Sequence, residues 1–475
     1  MRSARPAALL ALCGALGACG DEPEYTCPGG AGENVLVIVS DDIGIDKTSA
    51  YHEHESAPPG PNIEALAAEG LLFRSAYACP TCSPTRAALL TGRLPSRTGV
   101  GRWIAPDEAG ADLPLSELTL AEMLRRAPVC TTTGLVGKWH LVDFSRENPA
   151  AHPLAQGFST YSGSLANPQN SLGDDGEEHG YSHWEKDDRG ELGWSDTYMA
   201  TDTTDEALAF MASAPEPWVL VVAYNLAHVP VHVPPGALNL AGVTERSTDL
   251  EKMEAMVMAL DAEVGRLLDG LPSKARERTT IAYLSDNGTV PGFIEPPWNP
   301  GRGKGTTYDG GVRVPLIIAG PHVSTPGEET DALVHVADLF PTIAEIAGVD
   351  PGALTFEEGE HQGEPIPLDG VSLLPLLEDP SGEPPRATVY TEGFYPNGVG
   401  AQDWARRMIR NSRYKLTQED HAGAMVNERL YRYQEDAIDE GYDLLAGDLD
   451  AEAAAAYDEL SAALDSERAE LDLGG

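Results

Sequence analysis

Short apolar runs alternate with longer helix-like stretches through most of the 475-residue chain. The runs are rich in β-branched residues, which is typical of strands that are buried on both faces of a sheet. The alternation predicts an α/β fold, in which a large mixed, mostly parallel sheet is sandwiched by helices. The predicted strands are 35–39, 218–224, 279–284 and 314–319, and the predicted helices are 62–69, 118–126, 202–214, 249–268 and 336–347.

A different pattern follows the Pro- and Gly-containing segment 380–385, which predicts a linker. Strand-like pieces come next, and an Ala-, Glu- and Asp-rich helical stretch at 450–471 closes the chain. We therefore expect one large domain over residues 33–379 and a small C-terminal α+β domain over residues 386–475. The strand-like pieces are 388–391 and 413–417.

The first 19 residues have the features of a bacterial export signal. They begin with two arginines, and the apolar run 7–18 that follows is too short to cross a bilayer. The Leu-Gly-Ala-Cys segment that ends at Cys19 is similar to a lipoprotein processing box, and an ordinary cleaved signal peptide is the alternative. The polar segment 20–32 would be a tether. We expect an exported lipoprotein, anchored in a membrane at the periplasm or cell surface through lipid on Cys19, or secreted without that lipid.

Acidic side chains outnumber basic ones by 75 to 32, which gives a formal net charge of −43. Binding to nucleic acid depends on basic patches that neutralise phosphates, so this composition argues against nucleic acid as a partner. The same charge would oppose the approach of long polyanionic chains.

The six cysteines stand at positions 13, 19, 27, 79, 82 and 130. The first two fall within the export signal. An exported protein can form disulfides, and the sequence leaves open which of Cys27, Cys79 and Cys130 would pair. Cys79 and Cys82 have the Cys-x-x-Cys spacing of some zinc sites, but no second pair follows in the sequence.

Cys82 lies in the most distinctive segment of the chain, Pro-Thr-Cys-Ser-Pro-Thr-Arg-Ala-Ala-Leu-Leu-Thr-Gly at positions 80–92. Pro84 favours the start of a helix, and Gly92 favours its end. Cys82 would therefore lie at a helix N-terminus, where free backbone N–H groups and the helix dipole favour an anion. Arg86 follows about one turn later and can face back toward Cys82.

Hard oxygen ligands follow two of the predicted strands. Asp41 and Asp42 come after the first strand, and Asp286 and Asn287 come after the third. The carboxyl ends of strands in such a sheet meet at one edge, where sites form. Adjacent carboxylates repel each other unless a cation or a proton intervenes. A set of carboxylate and amide oxygens suits Ca²⁺ or Mg²⁺ and not zinc.

In this order along the chain, these segments resemble those of the type I sulfatases, the formylglycine-dependent, arylsulfatase-like family of the alkaline phosphatase superfamily. Three further segments carry the resemblance, which covers most of the chain. It implies an alkaline phosphatase-like fold for residues 33–379, which would form the catalytic domain. The three segments are Gly-Lys-Trp-His at 137–140, Tyr-Asn-Leu-Ala-His-Val-Pro at 224–230 and the Gly- and Lys-containing loop at 301–315.

The resemblance implies two cofactors. Cys82 would be oxidised to Cα-formylglycine by a formylglycine-generating enzyme, and the hydrated aldehyde would attack sulfur. Ca²⁺ would be the bound cation, with Mg²⁺ as the alternative. The implied metal ligands are Asp41, Asp42, Cys82, Asp286 and Asn287.

The resemblance also implies the residues that carry the reaction. Lys138, His228 and Lys304 would bind sulfate, and His228 or Lys304 would protonate the leaving oxygen. His140 would face the aldehyde-derived hydroxyl, and His232 is an alternative to His228. The implied catalytic residues are Cys82, Arg86, Lys138, His140, His228 and Lys304.

The implied function is hydrolysis of sulfate esters, on a carbohydrate, an aryl group or a small alkyl group. A formylglycine-dependent phosphodiesterase or phosphonate monoester hydrolase would use the same machinery and is one alternative. A non-catalytic, calcium-stabilised surface lipoprotein that binds a glycan is another. Segments 45–58 and 162–194 match no family segment, and we expect them to shape the substrate mouth. Asp309 stands where Glu is more usual in the family, and we expect it to support its loop.

Overall fold

The structure, a computed structural model, describes residues 32–475 apart from 128–130, 169–170, 173–177, 357–361, 434–439 and 474–475. The predicted export signal at 1–19, most of the tether at 20–32, Cys27 and Cys130 lie outside the described residues. Lipidation of Cys19 and the domain boundaries stay predictions, and the question of cysteine pairing stays open. Cys79 is a buried free thiol.

A ten-stranded mixed sheet forms the centre of the large domain. Its five central strands are parallel, and antiparallel pairings extend it on both sides, except that the two outermost strands on one side pair in parallel. The predicted fold class, a mostly parallel sheet sandwiched by helices, is confirmed. In spatial order the strands are Glu328–Thr330, Gly70–Phe73, Leu316–Ala319, Thr279–Ser285, Asn34–Ser40, Trp218–Ala223, Thr132–Gly137, Thr160–Gly163, Trp184–Asp188 and Glu191–Ser195.

The strand Asn34–Ser40 shows why its apolar run is continuous. Alternate side chains of a strand point to opposite faces of the sheet. Val35, Val37 and Val39 pack into the core on one face, together with the helices Cys82–Thr91 and Leu339–Ile346. Leu36 and Ile38 pack into a second core on the other face. The helices on that second face are Pro61–Glu69, Met199–Ser213 and Asp249–Asp269.

Each predicted helix of the large domain overlaps a helix in the structure, with differences at the ends. The prediction 118–126 shortens to Leu120–Leu124, where Thr119 caps the helix, and the prediction 336–347 begins as a 3₁₀ turn before the helix Leu339–Ile346. The remaining helices of the large domain are short. They are Pro95–Thr98, His152–Ala155, Ser273–Arg276, Asp309–Val312 and Leu374–Glu378.

Several strands carry too weak an apolar signal to be predicted. The central strand Thr132–Gly137 contains two threonines and two glycines, yet it pairs with strands on both sides. The glycines are needed because the sheet is crowded there. A Cβ on Gly134 would lie 2.6 Å from the Phe210 ring, and one on Gly137, whose φ is +92°, would lie 2.0 Å from the Ala223 carbonyl oxygen.

The C-terminal part is a four-stranded antiparallel sheet that is covered by the helix Ala451–Leu473. Leu460 and Leu464 of this helix pack against Ile409, Leu416 and Leu430 of the sheet. This confirms the predicted small C-terminal α+β unit. None of the helices in the described residues is both long and apolar enough to cross a membrane. The strands are Val389–Tyr395, Trp404–Arg410, Tyr414–His421 and Ala424–Arg432.

Leu36→Ala tests the packing of the central strand. Leu36 is fully buried and is paired in register with Leu220 and Ile281. We expect a loss of about 2 to 5 kcal/mol in the free energy of unfolding, measured by urea denaturation, because the substitution leaves a cavity. Leu240→Ala is the control, since Leu240 is 57% exposed, and its effect should stay below about 0.5 kcal/mol. Equal effects would contradict the assigned packing.

Candidate active site

Four neighbouring parallel strands end level with one another at one edge of the sheet. Ser40 is paired in register with Ser285, Val39 with Ala223, and Ala223 with Gly137. Residues that follow these strands therefore meet at the carboxyl edge, as the sequence predicts. In spatial order, these residues are Asp286 and Asn287, Asp41 and Asp42, Asn225 and His228, and Lys138 and His140.

The helix Cys82–Thr91 points its N-terminus at this edge. It begins two residues before Pro84. Pro84 lies in the first turn, where backbone N–H groups have no partner within the helix, so its missing N–H costs no hydrogen bond. It ends as predicted at Gly92, which has a φ of +69°. Arg86 faces back, and its Nε and Nη2 donate to Asp286 Oδ2 at 3.0 and 2.7 Å. Its Nη1 donates to the Lys138 carbonyl oxygen at 2.8 Å, so one guanidinium joins the helix to two strand ends.

Cys82 is buried at the start of this helix, with 1% of its surface exposed. Its Sγ lies 3.1 Å from His140 Nδ1. Burial raises the pKa of the Cys82 thiol, although the nearby ammonium groups of Lys138 and Lys304 act in the opposite direction. A thiol with a raised pKa is a weak nucleophile at neutral pH.

Three of the predicted metal ligands keep an oxygen atom that nothing satisfies. Asp41 Oδ2 accepts from Lys138 Nζ at 2.6 Å, and Asp42 Oδ1 accepts from Asn287 Nδ2 at 2.7 Å and from Lys304 Nζ. The second oxygen of each carboxylate and Asn287 Oδ1 are buried and have no hydrogen-bond partner among the described residues. Buried oxygens of this kind are costly unless something satisfies them, so they fit a hard cation.

Asp286 and His228 adjoin these three ligands in different ways. Asp286 Oδ2 is taken by Arg86, while its Oδ1 lies 3.4 Å from the Asp42 backbone nitrogen. His228 Nε2 lies 3.8 Å from Asp42 Oδ2. Asp41, Asp42 and His228 each offer one atom that could bind a metal, and these three atoms lie within 4.8 Å of one another.

The carboxylates differ in their electrostatic surroundings. Burial, together with the Asp286 carboxylate, raises the pKa of Asp41 to about 7. Burial alone would also raise the pKa of Asp42, but the Lys304 ammonium and His228 hold it below its usual value. The Lys304 ammonium thus keeps Asp42 ionised, whereas Asp41 is protonated more readily despite its contact with Lys138.

The two histidines of the site are neutral at physiological pH. Burial, followed by the charges of Lys138 and Arg86, lowers the pKa of His140 well below its usual value. Burial also lowers the pKa of His228 to about 4. The Val229 carbonyl oxygen, which can only accept, lies 2.5 Å from His228 Nδ1, so that nitrogen carries the proton.

His232, the alternative to His228, is held elsewhere. Its Nε2 lies 2.8 Å from the Tyr198 hydroxyl, and its ring packs on Tyr181 at 4.3 Å. The structure therefore places His228, not His232, beside the carboxylates.

The Lys304 loop is fixed from two sides. Gly305 N donates to the Pro80 carbonyl oxygen at 2.8 Å, which ties the loop to the segment before Cys82. Asp309 is buried and accepts from Lys415 Nζ of the C-terminal sheet at 2.8 Å. Asp309 therefore has the loop-supporting contacts expected of it, and the small domain supplies the partner.

Two residues near the site were not predicted. The Tyr181 hydroxyl lies 2.6 Å from the carbonyl oxygens of both Asn225 and His228, and so braces the segment that carries His228. Lys415 is completely buried, with its ammonium between Asp309 and Glu440. Tyr181 falls in a segment without a recognisable motif, and nothing in the sequence around Lys415 distinguishes a buried lysine from a solvated one.

Comparison with known proteins identifies the family. The sequence model of the Sulfatase family matches residues 33–349. Human N-acetylgalactosamine-6-sulfatase is 31% identical over 382 residues, which cover 72% of this chain and 65% of the human protein. The chain thus spans about two thirds of that relative's length. Human arylsulfatase A is 31% identical over 391 residues, which cover 77% of this chain and 71% of the relative.

Solved structures agree with the fold. A crystal structure named Ps i-CgsB is 26% identical with a TM-score of 0.69, and the match covers 87% of this chain and 89% of the other. The putative sulfatase yidJ from Bacteroides fragilis has a TM-score of 0.73 over 95% of this chain and 99% of its own, and at 16% identity it bears on the fold alone. The chain therefore belongs to the sulfatase family, as a type I sulfatase.

Proposed function

We propose that this chain hydrolyses sulfate esters, using a formylglycine made from Cys82 and a divalent cation held beside it. The observation that carries the proposal is the group of unsatisfied buried oxygens on Asp41, Asp42 and Asn287. These oxygens lie at the ends of the parallel strands. The N-terminus of the helix that starts at Cys82 points toward the same ends. The names of the relatives, sulfatases that act on a sugar sulfate or an aryl sulfate, support the same reaction.

The donor set supports Ca²⁺ as the cation, with Mg²⁺ as the alternative, because it offers carboxylate and amide oxygens. Asp41, Asp42, Asp286, Asn287 and position 82 would hold it. When bound, the cation supplies Lewis acidity that lowers the pKa of the hydroxyl at position 82.

Formylglycine would supply a hydrated aldehyde whose hydroxyl is the nucleophile for sulfur. The Cys-Ser-Pro-Thr-Arg motif supports this modification at Cys82 by a formylglycine-generating enzyme. The folded chain leaves only 1% of Cys82 exposed. Conversion would therefore precede the completion of folding.

The positive side chains would stabilise the sulfate group. Lys138 and Lys304 bring two ammonium groups close enough to Cys82 to affect its pKa, and Arg86 fixes Asp286. Because these charges are already held in place, the site needs little reorganisation when negative charge develops on the sulfate oxygens. His140, 3.1 Å from the side chain at position 82, would bind the hydroxyl there.

Hydrolysis breaks the S–O bond of the ester, consumes one water and delivers a proton to the departing alcohol. Two side chains could deliver that proton. Lys304 Nζ is an ammonium that is paired with Asp42. His228 donates its Nδ1 proton to the Val229 carbonyl and therefore presents an unprotonated Nε2. This arrangement favours Lys304 as the general acid and His228 as a sulfate-binding residue.

The N-terminal sequence supports a place for this reaction outside the cytoplasm. We propose export and attachment to a membrane through lipid on Cys19, because the segment that ends there has the pattern of a lipoprotein processing box. The polar segment that follows would separate the enzyme from the membrane surface.

The nucleophile is tested at Cys82. In protein that is coexpressed with a formylglycine-generating enzyme, mass spectrometry of the peptide containing residue 82 should show the aldehyde. Cys82→Ala should lower kcat for 4-nitrophenyl sulfate by more than about 10³-fold, because it removes the covalent nucleophile. Cys79→Ala is the matched control, a buried thiol three residues away, and it should retain most of the activity.

Three results of that experiment would contradict the proposal. An unmodified thiol with full activity would exclude formylglycine. A higher kcat/KM for a 4-nitrophenyl phosphodiester than for the sulfate would favour the phosphodiesterase alternative. Modified, cation-loaded protein that binds sugar sulfates but turns over neither ester would favour the non-catalytic alternative.

Cation binding is tested without an activity assay. Ca²⁺ should raise the Tm and EDTA should lower it, since a ligand at about 100 times its Kd stabilises the folded state by about 2.7 kcal/mol. Asp42→Asn should remove most of the response to Ca²⁺, also by calorimetric titration. Asp269→Asn, at an exposed carboxylate, is the control. A wild-type Tm that is the same in Ca²⁺, Mg²⁺ and EDTA would rule out the site.

The general acid is tested with a series of aryl sulfates whose leaving groups differ in pKa. Lys304→Ala should lose much activity on esters with poor leaving groups and little on those with good ones, because a good leaving group needs no proton. Lys138→Ala should lose activity evenly across the series. If His228→Ala shows the leaving-group dependence instead, His228 is the proton donor and the assignment to Lys304 is wrong.

A further inference from the structure

A cavity of about 230 Å³ opens next to the candidate active site. The Leu165 carbonyl oxygen in its wall accepts from His140 N at 3.1 Å. The neighbouring Ser164 exchanges hydrogen bonds with Asn225. The cavity therefore starts one hydrogen bond away from residues of the site. The lining residues used below are Ser164, Asn167, His179, Glu185 and Trp194.

Trp194 and His179 line one side of the cavity, and His183 packs against them without lining the cavity itself. These three rings are called here the Trp194 platform. The His183 ring is stacked on the Trp194 indole at 4.8 Å and 6°, and the His179 ring lies 4.3 Å from it. The two imidazoles are only 5.4 Å apart. Rings on opposite faces of the indole would be separated by nearly the sum of their distances to it. Both imidazoles therefore lie toward one side of the indole. Trp194 as a whole is 52% exposed.

The platform is held in place by its surroundings. Trp194 lies on the strand Glu191–Ser195, which is paired with Trp184–Asp188 at the edge of the main sheet. Trp184 is buried, and its Nε1 donates to the Thr197 carbonyl oxygen at 2.9 Å. His183 Nδ1 lies 2.7 Å from an Asp196 oxygen. A rigid exposed indole offers a ligand a large apolar face at little entropic cost.

The charges around the cavity indicate which ligand would cover that face. None of the described residues that line it is Lys or Arg, and Glu185 is acidic. An anionic group, such as a second sulfate, would meet no lysine or arginine among the described lining residues. Ser164 and Asn167 are polar side chains in the lining that suit the hydroxyl groups of a ligand. A flat apolar face beside hydroxyl partners suits a sugar ring better than an aryl group.

We propose that the Trp194 platform binds an uncharged sugar ring that adjoins the sulfated unit of the substrate. The substrate is then a sulfated oligosaccharide, with its sulfate beside Cys82 and the next sugar on the indole. This rests on the proposed sulfatase function and adds a substrate class and a binding residue to it.

The test compares substrates that share one sulfated sugar. The sugar is the monosaccharide sulfate that the wild type hydrolyses fastest in a screen that includes N-acetylgalactosamine 6-sulfate. Two disaccharides link this unit to galactose, which is neutral, or to glucuronic acid, which is anionic. For the wild type, kcat/KM should be about tenfold higher for the galactose disaccharide than for the monosaccharide. The glucuronic acid disaccharide should show no such gain.

Trp194→Ala should remove this preference, so that the ratio of kcat/KM for the galactose disaccharide over the monosaccharide falls to about one. Trp194→Phe should restore part of it, which a merely structural loss would not. Tyr442→Ala, at a tyrosine that is 70% exposed in the C-terminal part, should leave the ratio unchanged.

The outcomes separate the two proposals. If Trp194→Ala loses the preference for the galactose disaccharide and Tyr442→Ala keeps it, the result supports the platform. A preference that survives Trp194→Ala, or a wild type that prefers the monosaccharide or the glucuronic acid disaccharide, overturns it and leaves the sulfatase function intact. Turnover of 4-nitrophenyl sulfate but of no sugar sulfate also overturns it. Turnover of no sulfate ester by modified, cation-loaded enzyme refutes the proposed function itself.

Discussion

The site depends on the neutralisation of buried negative charge at the ends of parallel strands. The register of the sheet brings Asp41, Asp42 and Asp286 together in the interior, where their mutual repulsion and loss of hydration are costly. Lys138 and Lys304 each contact one of the first two carboxylates, and Arg86 holds the third. Even so, oxygens of Asp41 and Asp42 stay unsatisfied in the described structure. The cation proposed for this site would relieve that imbalance.

The helix that starts at Cys82 belongs to the same arrangement. Its first residue reaches the strand ends because Arg86, one turn later, bonds both Asp286 and the carbonyl of Lys138. The burial that makes the Cys82 thiol unreactive is the burial that a water-excluding site requires. The formylglycine proposed at this position would not require a thiolate to act as the nucleophile.

The small C-terminal domain contributes to the site without reaching it. Lys415 and Glu440 enclose Asp309 at the base of the Lys304 loop, and Arg406 donates to the Gly305 carbonyl oxygen. The two contacts of Lys415 are buried charge pairs, and removal of one partner from such a pair lowers the free energy of unfolding by several kcal/mol. The position of the Lys304 ammonium thus depends on packing between the two parts of the chain.

The sequence by itself determined the fold class, the helix at Cys82 and the meeting at the sheet edge of the residues that follow the predicted strands. These features are local, because β-branched runs mark buried strands and polar residues directly follow them. Lys138 and His140 follow a strand that was not predicted. Only the tertiary structure decided that Thr132–Gly137 is a central strand, since its glycines are explained by Phe210 and Ala223 from distant segments. It also decided that His228 and not His232 faces Asp42, that Lys415 is buried, and that Trp194 forms a cavity wall. Each of these depends on contacts between residues far apart in the chain, and a single sequence carries no signal for such contacts.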